Sequence, residues 1–273
     1  MHLITIGGDL RMNGLQRAAR RAGFTCHHAA QTDALEALPG EAAAVVLPWP
    51  RSFTGDLVWQ TTIKKEELIR HLPACRFLMG TGLDAKDFPQ AKALVDPGKD
   101  EALLLANAKL TAEGAIAALL KTGEEALLHK TCLITGFGRI AQALAQRLCA
   151  MEMFVIVCAR SEQQMQLAHR VGAHPVPLAR LSIAAQQADI VINTIPFRVF
   201  GVDALAQLRP GVRYIELASA PYGAEPEQAA QLGVSMEIMG GVPGKYAPGS
   251  AGEALFEALQ RAMRASEAEG GDG

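Results

Sequence analysis

Two series of short apolar runs alternate with helical patterns along this chain of 273 residues. The runs lie at residues 3–6, 24–27, 43–47, 76–79 and 92–95, and then at 131–135, 154–159, 174–176, 189–193, 212–217 and 234–238. Such alternation predicts parallel strands joined by crossover helices, because a parallel connection needs a dozen or more residues. We therefore predict an α/β protein with two α/β domains joined by a long helix.

The start of each pattern gives the predicted domain boundaries. We expect a flavodoxin-like α/β domain on the substrate side at residues 1–105, a connecting helix at 106–128 and a Rossmann-type doubly wound parallel sheet at 129–245. The connecting helix belongs to a long helical region at about 100–128 that is interrupted near 107–109 and that Gly123 kinks or caps. A C-terminal helix that packs back on the first domain and a polar tail, disordered from residue 267, are expected within 246–273. Prolines and a glycine predict an irregular loop at residues 48–61.

Composition argues against several classes of protein. The formal net charge is −2, whereas a nucleic-acid surface needs a basic face. We identify no basic leader and no apolar run of the roughly 18 residues that a membrane span requires. The five cysteines form no C-x-x-C pair, which predicts buried, reduced thiols. We expect a cytoplasmic protein that binds no nucleic acid, membrane or metal.

A glycine motif, G-F-G-R-I-A at residues 136–141, follows an apolar run and opens a helical pattern. Gly136 would permit a tight turn, Gly138 would let the backbone approach a pyrophosphate, and Ala141 would allow close helix–strand packing. The helix N-terminus would add N–H donors. The predicted cofactor-binding residues here are Gly136, Phe137, Gly138, Arg139 and Ile140. The alternative is an ordinary strand-to-helix turn.

The next predicted strand indicates which dinucleotide is bound. NAD enzymes usually place an acidic residue at its end to hold the ribose 2′-OH, but this chain has Arg160 and Ser161 there and no acid until Glu162. A guanidinium can pair with a 2′-phosphate through charge-assisted hydrogen bonds. We therefore predict NADP(H), held in part by Arg160 and Ser161. A solvent-exposed arginine at a strand end is the alternative.

Three later loops follow predicted strands, where open α/β sheets bind ligands. The loops at 193–196 and 217–221 are expected to flank the nicotinamide through Asn193, Thr194, Ile195, Pro196 and Ser219. The loop at 239–252 is dense in glycine and proline, which suits either a backbone wrapped around a ligand or a simple linker. Ser250 is expected to cap the last helix.

Short motifs along nearly the whole chain together resemble the family of dipicolinate synthase A subunits. They are G-G-D-x-R at 7–11, N-A at 107–108 with T-A-E-G at 111–114, G-F-G-R at 136–139, A-R-S at 159–161, I-N-T-I-P at 192–196, and G-V-P-G with A-P and A-G at 241–252. Each motif is generic, but their joint order is fairly specific. The chain departs from the family pattern at 109–110, Lys245 and Gly249, which leaves open which residues bind the substrate.

The resemblance implies a protein that oxidises a dihydrodipicolinate-type precursor to dipicolinate during sporulation and whose partner is the flavoprotein-like B subunit of the synthase. We expect an NADP-dependent dehydrogenase of a small dicarboxylate and a homo-oligomer. Two alternatives stay open. One is a regulatory or scaffold subunit that binds the cofactor while its partner does the chemistry, and the other is a dehydrogenase of another small carboxylic acid.

A dicarboxylate substrate needs cationic or hydroxyl donors around it. The predicted substrate-binding residues are Arg11, Thr111, Tyr246 and Ser250, and the predicted catalytic residues are Glu113 and Lys245. Glu113 is expected in the first turn of the connecting helix, where an acid also favours the helix dipole. Structural alternatives are helix caps for Thr111 and Ser250, solvent contact for Lys245 and a surface position for Arg11.

Overall fold

The structure is a computed structural model that describes residues 1–122 and 125–270. It divides into two compact units. Unit 1 comprises residues 1–107 together with the chain from Pro243 onward, and unit 2 comprises residues 108–242. Each unit has its own parallel sheet with helices and two apolar cores, as expected for a sheet covered on both faces.

The sheet of unit 1 has five parallel strands. They are β1 (His2–Ile6), β2 (Thr25–Ala29), β3 (Glu41–Val46), β6 (Ala74–Met79) and β7 (Ala91–Val95), with helices α1 (Arg11–Arg21), α2 (Thr32–Glu36) and α3 (Lys65–His71). The strand order is β2-β1-β3-β6-β7, which is the flavodoxin-like doubly wound order once short strands are set aside. Those short strands, β4 (Phe53–Thr54) and β5 (Leu57–Val58), form an antiparallel ribbon inside the segment predicted to be irregular.

The sheet of unit 2 has six parallel strands. The elements are β8 (Thr131–Thr135), α5 (Arg139–Ala150), β9 (Phe154–Ala159), α6 (Glu162–Arg170), β10 (His174–Pro177), α7 (Leu181–Ala185), β11 (Ile190–Asn193), α8 (Val202–Ala206), β12 (Arg213–Glu216), α9 (Pro226–Gln231) and β13 (Met236–Ile238). The order β10-β9-β8-β11-β12-β13 is that of the Rossmann fold, with its switch point between β8 and β11. The predicted fold class is confirmed.

The long helix α4 (Glu101–Thr122) begins where the helical region was expected to begin, near residue 100, and the expected interruption near 107–109 is wrong because the helix is continuous there. The Asp100 carboxylate accepts the backbone N–H of Leu103 at 2.7 Å and so caps the helix at this point. Residues 125–128 are not helical, so the predicted extension to residue 128 is wrong. The predicted kink or cap at Gly123 lies outside the described residues.

Residues 101–121 of α4 are long and apolar enough to cross a membrane by length and composition. The expectation that no such run exists is therefore wrong, because charged residues interrupt the run without making it polar overall. Buried core helices of soluble proteins pass the same test. Ala112, Ala115 and Leu119 of this helix are fully buried in the core of unit 2, which is how a core helix behaves.

Two helices, α10 (Val242–Tyr246) and α11 (Pro248–Gly270), end the described chain. Helix α11 begins with proline, a residue preorganised for the first helical position, so Ser250 is its third residue and the predicted cap is wrong. Residues 267–270 are helical rather than disordered, and Glu267 pairs with Arg76 at 3.3 Å. The rest of the predicted tail, 271–273, is outside the described residues.

Helix α11 packs against α1 at unusually short range. A Cβ at Gly252 would overlap the carbonyl oxygen of Arg11, and a Cβ at Gly14 would lie 2.6 Å from the carbonyl oxygen of Gly249. Glycine at these positions allows the two backbones to touch. A bidentate ion pair from Arg261 to Asp100, at 2.8 and 2.9 Å, also holds α11 within unit 1.

We predict that G252A destabilises unit 1 while G249A does not. The new methyl group at 252 would meet fixed backbone, which typically costs about 2 kcal/mol when a packed core must shift. At Gly249 a Cβ would meet only the end of the flexible Arg17 side chain. Urea unfolding of both variants measures the difference, and equal midpoints would contradict the packing described here.

Candidate functional site

The turn between β8 and α5 is built around Gly136. Its φ is +84°, the left-handed region that disfavours side chains. A Cβ at Gly136 would also lie 2.9 Å from both Thr194 Oγ1 and Ile195 Cγ1. Glycine is therefore required here for two reasons, backbone conformation and the close approach of the loop that follows β11.

Gly138, two residues later, is in a different situation. It precedes the first residue of α5 with φ −79°, which any residue can adopt, and no heavy atom lies within 4 Å of its Cβ position. The protein itself therefore does not require glycine at 138. Open space beside a backbone at a helix N-terminus is what a bound pyrophosphate needs.

The other residues of the glycine motif differ in burial. Phe137 is 2% exposed and lies in the core of unit 2, so it can face a ligand only through its backbone. Ile140 is half-buried against the same core, and Ala141 is fully buried. Arg139 is exposed at the first position of α5.

Arg160 follows β9 and lines a cavity of about 500 Å³. The other lining residues are Leu178, Ile195, Pro196, Phe197, Arg198 and Val199. Arg198 is ion-paired with Glu225, whereas Arg160 is exposed and has no ion pair among the residues described. Ser161 caps α6 by accepting the Gln164 N–H at 3.2 Å, which leaves its hydroxyl hydrogen able to donate.

A buried chain of hydrogen bonds joins the carboxyl ends of three neighbouring strands. Thr135 Oγ1 lies 2.5 Å from Asn193 Oδ1, and Asn193 Nδ2 donates to Glu216 Oε1 at 2.7 Å. All three residues are fully buried. Asn193 also brackets Ile195, donating to its carbonyl at 2.9 Å and accepting its N–H at 3.1 Å. The Asn193 side chain thus shapes the predicted nicotinamide loop from within.

Glu216 was missed by the sequence reasoning. An acid at a strand end looks solvent-exposed, and the only signal was its position between the apolar residues Ile215 and Leu217. Burial raises the pKa of Glu216, although hydrogen bonds partly oppose the shift. The Tyr214 hydroxyl is buried beside this carboxylate, and burial followed by the Glu216 charge raises the pKa of Tyr214.

The remaining predicted residues of unit 2 lie in two places. Thr194 donates its hydroxyl to the Thr135 carbonyl at 2.7 Å, and Pro196 and Ser219 are exposed in the loops after β11 and β12. Thr111 and Glu113 lie in the interior of α4, so the expected first-turn position of Glu113 and the alternative cap role of Thr111 are both wrong. Both errors come from the interruption expected near 107–109, which the continuous helix does not have.

The predicted site residues of unit 1 differ in how exposed they are. Arg11 is 2% exposed, so a surface position is wrong; its Nη2 contacts Asp9 at 2.8 Å and its guanidinium lies 5.7 Å from the Trp59 ring centroid. Lys245 and Tyr246 are exposed at the end of α10, and Ser250 is exposed in α11. Their ligand roles stay predictions.

The described parts of the chain contain no group of three or more His, Cys, Asp or Glu residues that could hold a metal ion. Unit 2 instead brings together Gly136, Gly138 and the loop 194–196 at the carboxyl edge of its sheet, with the Arg160 cavity beside that loop. This edge includes the switch point, the usual ligand position in doubly wound sheets.

Known proteins are similar to this chain in sequence. Residues 105–230 match the family model described as "D-isomer specific 2-hydroxyacid dehydrogenase, NAD binding domain". The chain is also 27% identical over 238 residues to the A subunit of dipicolinate synthase from Bacillus subtilis (strain 168), covering 84% of this chain and 80% of the relative. The chain is similar to the A subunit of dipicolinate synthase. The resemblance seen in the short motifs is confirmed.

Solved structures show the same fold. The A subunit of dipicolinate synthase from Bacillus halodurans superposes with a TM-score of 0.82 at 21% identity, covering 96% of this chain and 97% of that one. The corresponding chain of the Bacillus subtilis synthase gives 0.80 at 23%, covering 98% and 97%. Apo D-lactate dehydrogenase from Escherichia coli gives 0.64 at 12%, covering 98% of each chain. Unit 2 thus has the fold of a nicotinamide-binding domain of dehydrogenases.

We predict that alanine destabilises the protein at Gly136 but not at Gly138. G136A forces a left-handed alanine, at a cost of about 1 kcal/mol, and pushes the new methyl group into the loop after β11. G138A meets neither obstacle, so its unfolding midpoint in urea should match that of the wild type. A G136A variant as stable as G138A would contradict the account of the turn.

Proposed function

We propose that the protein is the A subunit of a dipicolinate synthase and oxidises a dihydrodipicolinate-type precursor to dipicolinate with NADP⁺ during sporulation. One observation carries the proposal. The open backbone at Gly138 lies in a domain of the dehydrogenase type, within a chain similar to the dipicolinate synthase A subunits. The reaction removes a hydride and a proton, and a bound nicotinamide would accept the hydride.

The residues present fit such a cofactor. The backbone of residues 136–140 and the N-terminus of α5 would hold the pyrophosphate. Loop 194–196 and Ser219 would lie beside the nicotinamide, since both follow strands at the carboxyl edge of the sheet. Arg160 and Ser161, which follow β9, would hold the adenosine end.

The choice of NADP over NAD rests on Arg160 and Ser161. A strand-end carboxylate would favour the free 2′-OH and repel a phosphate. Here the strand ends in a guanidinium with no ion pair in the described chain, followed by a hydroxyl that can donate. Both groups suit a doubly charged 2′-phosphate.

The chain's own residues would mainly bind and orient the substrate, because aromatisation of the ring supplies much of the driving force. We propose Arg11, Thr111, Tyr246 and Ser250 as carboxylate-binding residues and Glu113 and Lys245 as proton-handling residues. Lys245 has no ion pair among the described residues, whereas Glu113 contacts Arg147 at 3.3 Å. Lys245 is therefore the better candidate.

The proposed partners are the small dicarboxylate substrate, the flavoprotein-like B subunit of the synthase and further copies of this chain. We place the protein in the cytoplasm during sporulation. All five cysteines are free thiols, and burial raises the pKa of Cys75 to about 11 and that of Cys158 to about 12. Such unreactive thiols suit a reducing compartment.

We predict that R160A weakens NADPH binding on the order of 10-fold or more, since a charge-assisted pair to phosphate is lost. NADH binding should change little, because NADH lacks the 2′-phosphate. The measurement is fluorescence titration of each reduced cofactor, with R170A at the other end of α6 as the matched control. Tighter binding of NADH than NADPH by the wild type would overturn the NADP assignment.

Turnover tests the reaction itself. The chain incubated with NADP⁺ and freshly prepared dihydrodipicolinate should release NADPH and dipicolinate in equal amounts, both followed by absorbance. Product only when the B subunit is added would favour the scaffold alternative. Cofactor binding without product under either condition would contradict the proposed substrate and favour another small carboxylic acid.

A further inference from the structure

Glu216 is a fully buried carboxylate with no ion-pair partner among residues 1–122 and 125–270. A buried charge without compensation is strongly unfavourable. Three N–H donors compensate it here: Asn193 Nδ2 at 2.7 Å and the Ala218 backbone at 2.9 Å on Oε1, and the Gly223 backbone at 2.8 Å on Oε2. Hydrogen bonds of this kind favour the ionised form.

These donors belong to two different loops. Ala218 and Gly223 lie in the loop after β12. Asn193 is the last residue of β11, and its side-chain Nδ2 and Oδ1 both hydrogen-bond to the backbone of Ile195. The far ends of the two loops also meet, because the Gly223 carbonyl accepts the N–H groups of Val199 and Phe200 at 2.9 and 2.8 Å. One carboxylate and one carboxamide thus connect residues 194–200 with residues 217–223.

The fit between these loops is tight. A Cβ at Gly223 would lie 2.5 Å from Asn193 Cγ and 2.8 Å from the Tyr214 hydroxyl. Tyr222 next to it is held at φ +61°, a conformation that non-glycine residues rarely adopt and that persists only when the surroundings enforce it. The loop after β12 is therefore shaped by its contacts rather than by its local preference.

We infer that Glu216 is a positioning residue that locks the loops 194–200 and 217–223 into one rigid surface for the nicotinamide side of the cofactor. The locking follows from contacts within unit 2 alone. Its consequence for ligand binding rests on the proposed function, since these loops contain the proposed cofactor residues Thr194, Ile195, Pro196 and Ser219.

Only a carboxylate satisfies this site. Both Glu216 oxygens accept, so all three N–H groups are paired. A glutamine amide would point its own NH₂ group at an N–H donor in either orientation. In one orientation it faces the Gly223 N–H, and in the other it faces the Asn193 and Ala218 N–H groups. E216Q therefore keeps the size of the side chain and removes the hydrogen bonds to one of the two carboxylate oxygens.

Hydrogen exchange in the cofactor-free protein tests the locking directly. E216Q should speed exchange at Ile195, Val199 and Phe200 on the order of 10-fold or more, because it releases Asn193 and Gly223, whose oxygens accept these three N–H groups. Ala218 and Gly223 will exchange faster in any case, because they bond the carboxylate itself. The matched control is E237Q, which neutralises an exposed acid on β13. Faster exchange confined to 217–223 would overturn the inference.

A second variant covers the case in which E216Q does not fold. T135V replaces a fully buried hydroxyl with a methyl group of similar size and removes one bond that orients Asn193. It should speed exchange in both loops in the same direction, by several-fold. Unchanged exchange at residues 194–200 in a folded T135V protein would also overturn the inference.

Cofactor titration separates this inference from the proposed function. If the locked surface receives the nicotinamide, E216Q or T135V should weaken binding of NADPH, while E237Q should not. If exchange shows that the loops are coupled but E216Q and T135V bind NADPH as tightly as the wild type, the role of Glu216 in cofactor binding is overturned. The proposed function would then still stand. A wild type that binds neither NADPH nor NADH would overturn the proposed function, while the exchange result would still decide the coupling of the loops.

Discussion

The hydrogen-bonded chain from Thr135 through Asn193 to Glu216 is the constraint on which the carboxyl edge of unit 2 depends. Parallel strands fix backbone register, but they leave the loops at their ends free to take many conformations. Here buried side chains at the ends of β8, β11 and β12 bond to one another and to the loops. Since unpaired buried polar groups are costly, the loops adopt the one arrangement that pairs them.

Each unit has a glycine turn after its first strand, but the space beside the turn is filled in unit 1 and open in unit 2. In unit 1 the turn after β1 is filled by the protein, because a Cβ at Gly7 would lie 2.6 Å from the Thr61 side chain and the Gly8 N–H bonds to Trp59. The nearby Arg11 guanidinium is ion-paired with Asp9. In unit 2 the space beside Gly138 is open. Glycine-rich turns after a strand can thus close a fold or admit a ligand, and only the surroundings distinguish the two.

The strands and the glycine turn could be predicted from the sequence, because they depend on local residue patterns. Strand β9 and the turn at Gly136 lie where the apolar run and the glycine spacing placed them. Features set by distant contacts did not. Glu216 is buried by neighbours from another strand and loop, and Gly252 packs on a helix more than 200 residues away in sequence.

A crystal structure of the chain grown with NADPH tests the central claim most directly. The account predicts the pyrophosphate against the backbone of residues 136–140, the 2′-phosphate within hydrogen-bond distance of the Arg160 guanidinium, and the nicotinamide ring beside the loops that Glu216 connects. A cofactor bound at another edge of either sheet would contradict it, as would a 2′-phosphate in solvent with Arg160 turned away.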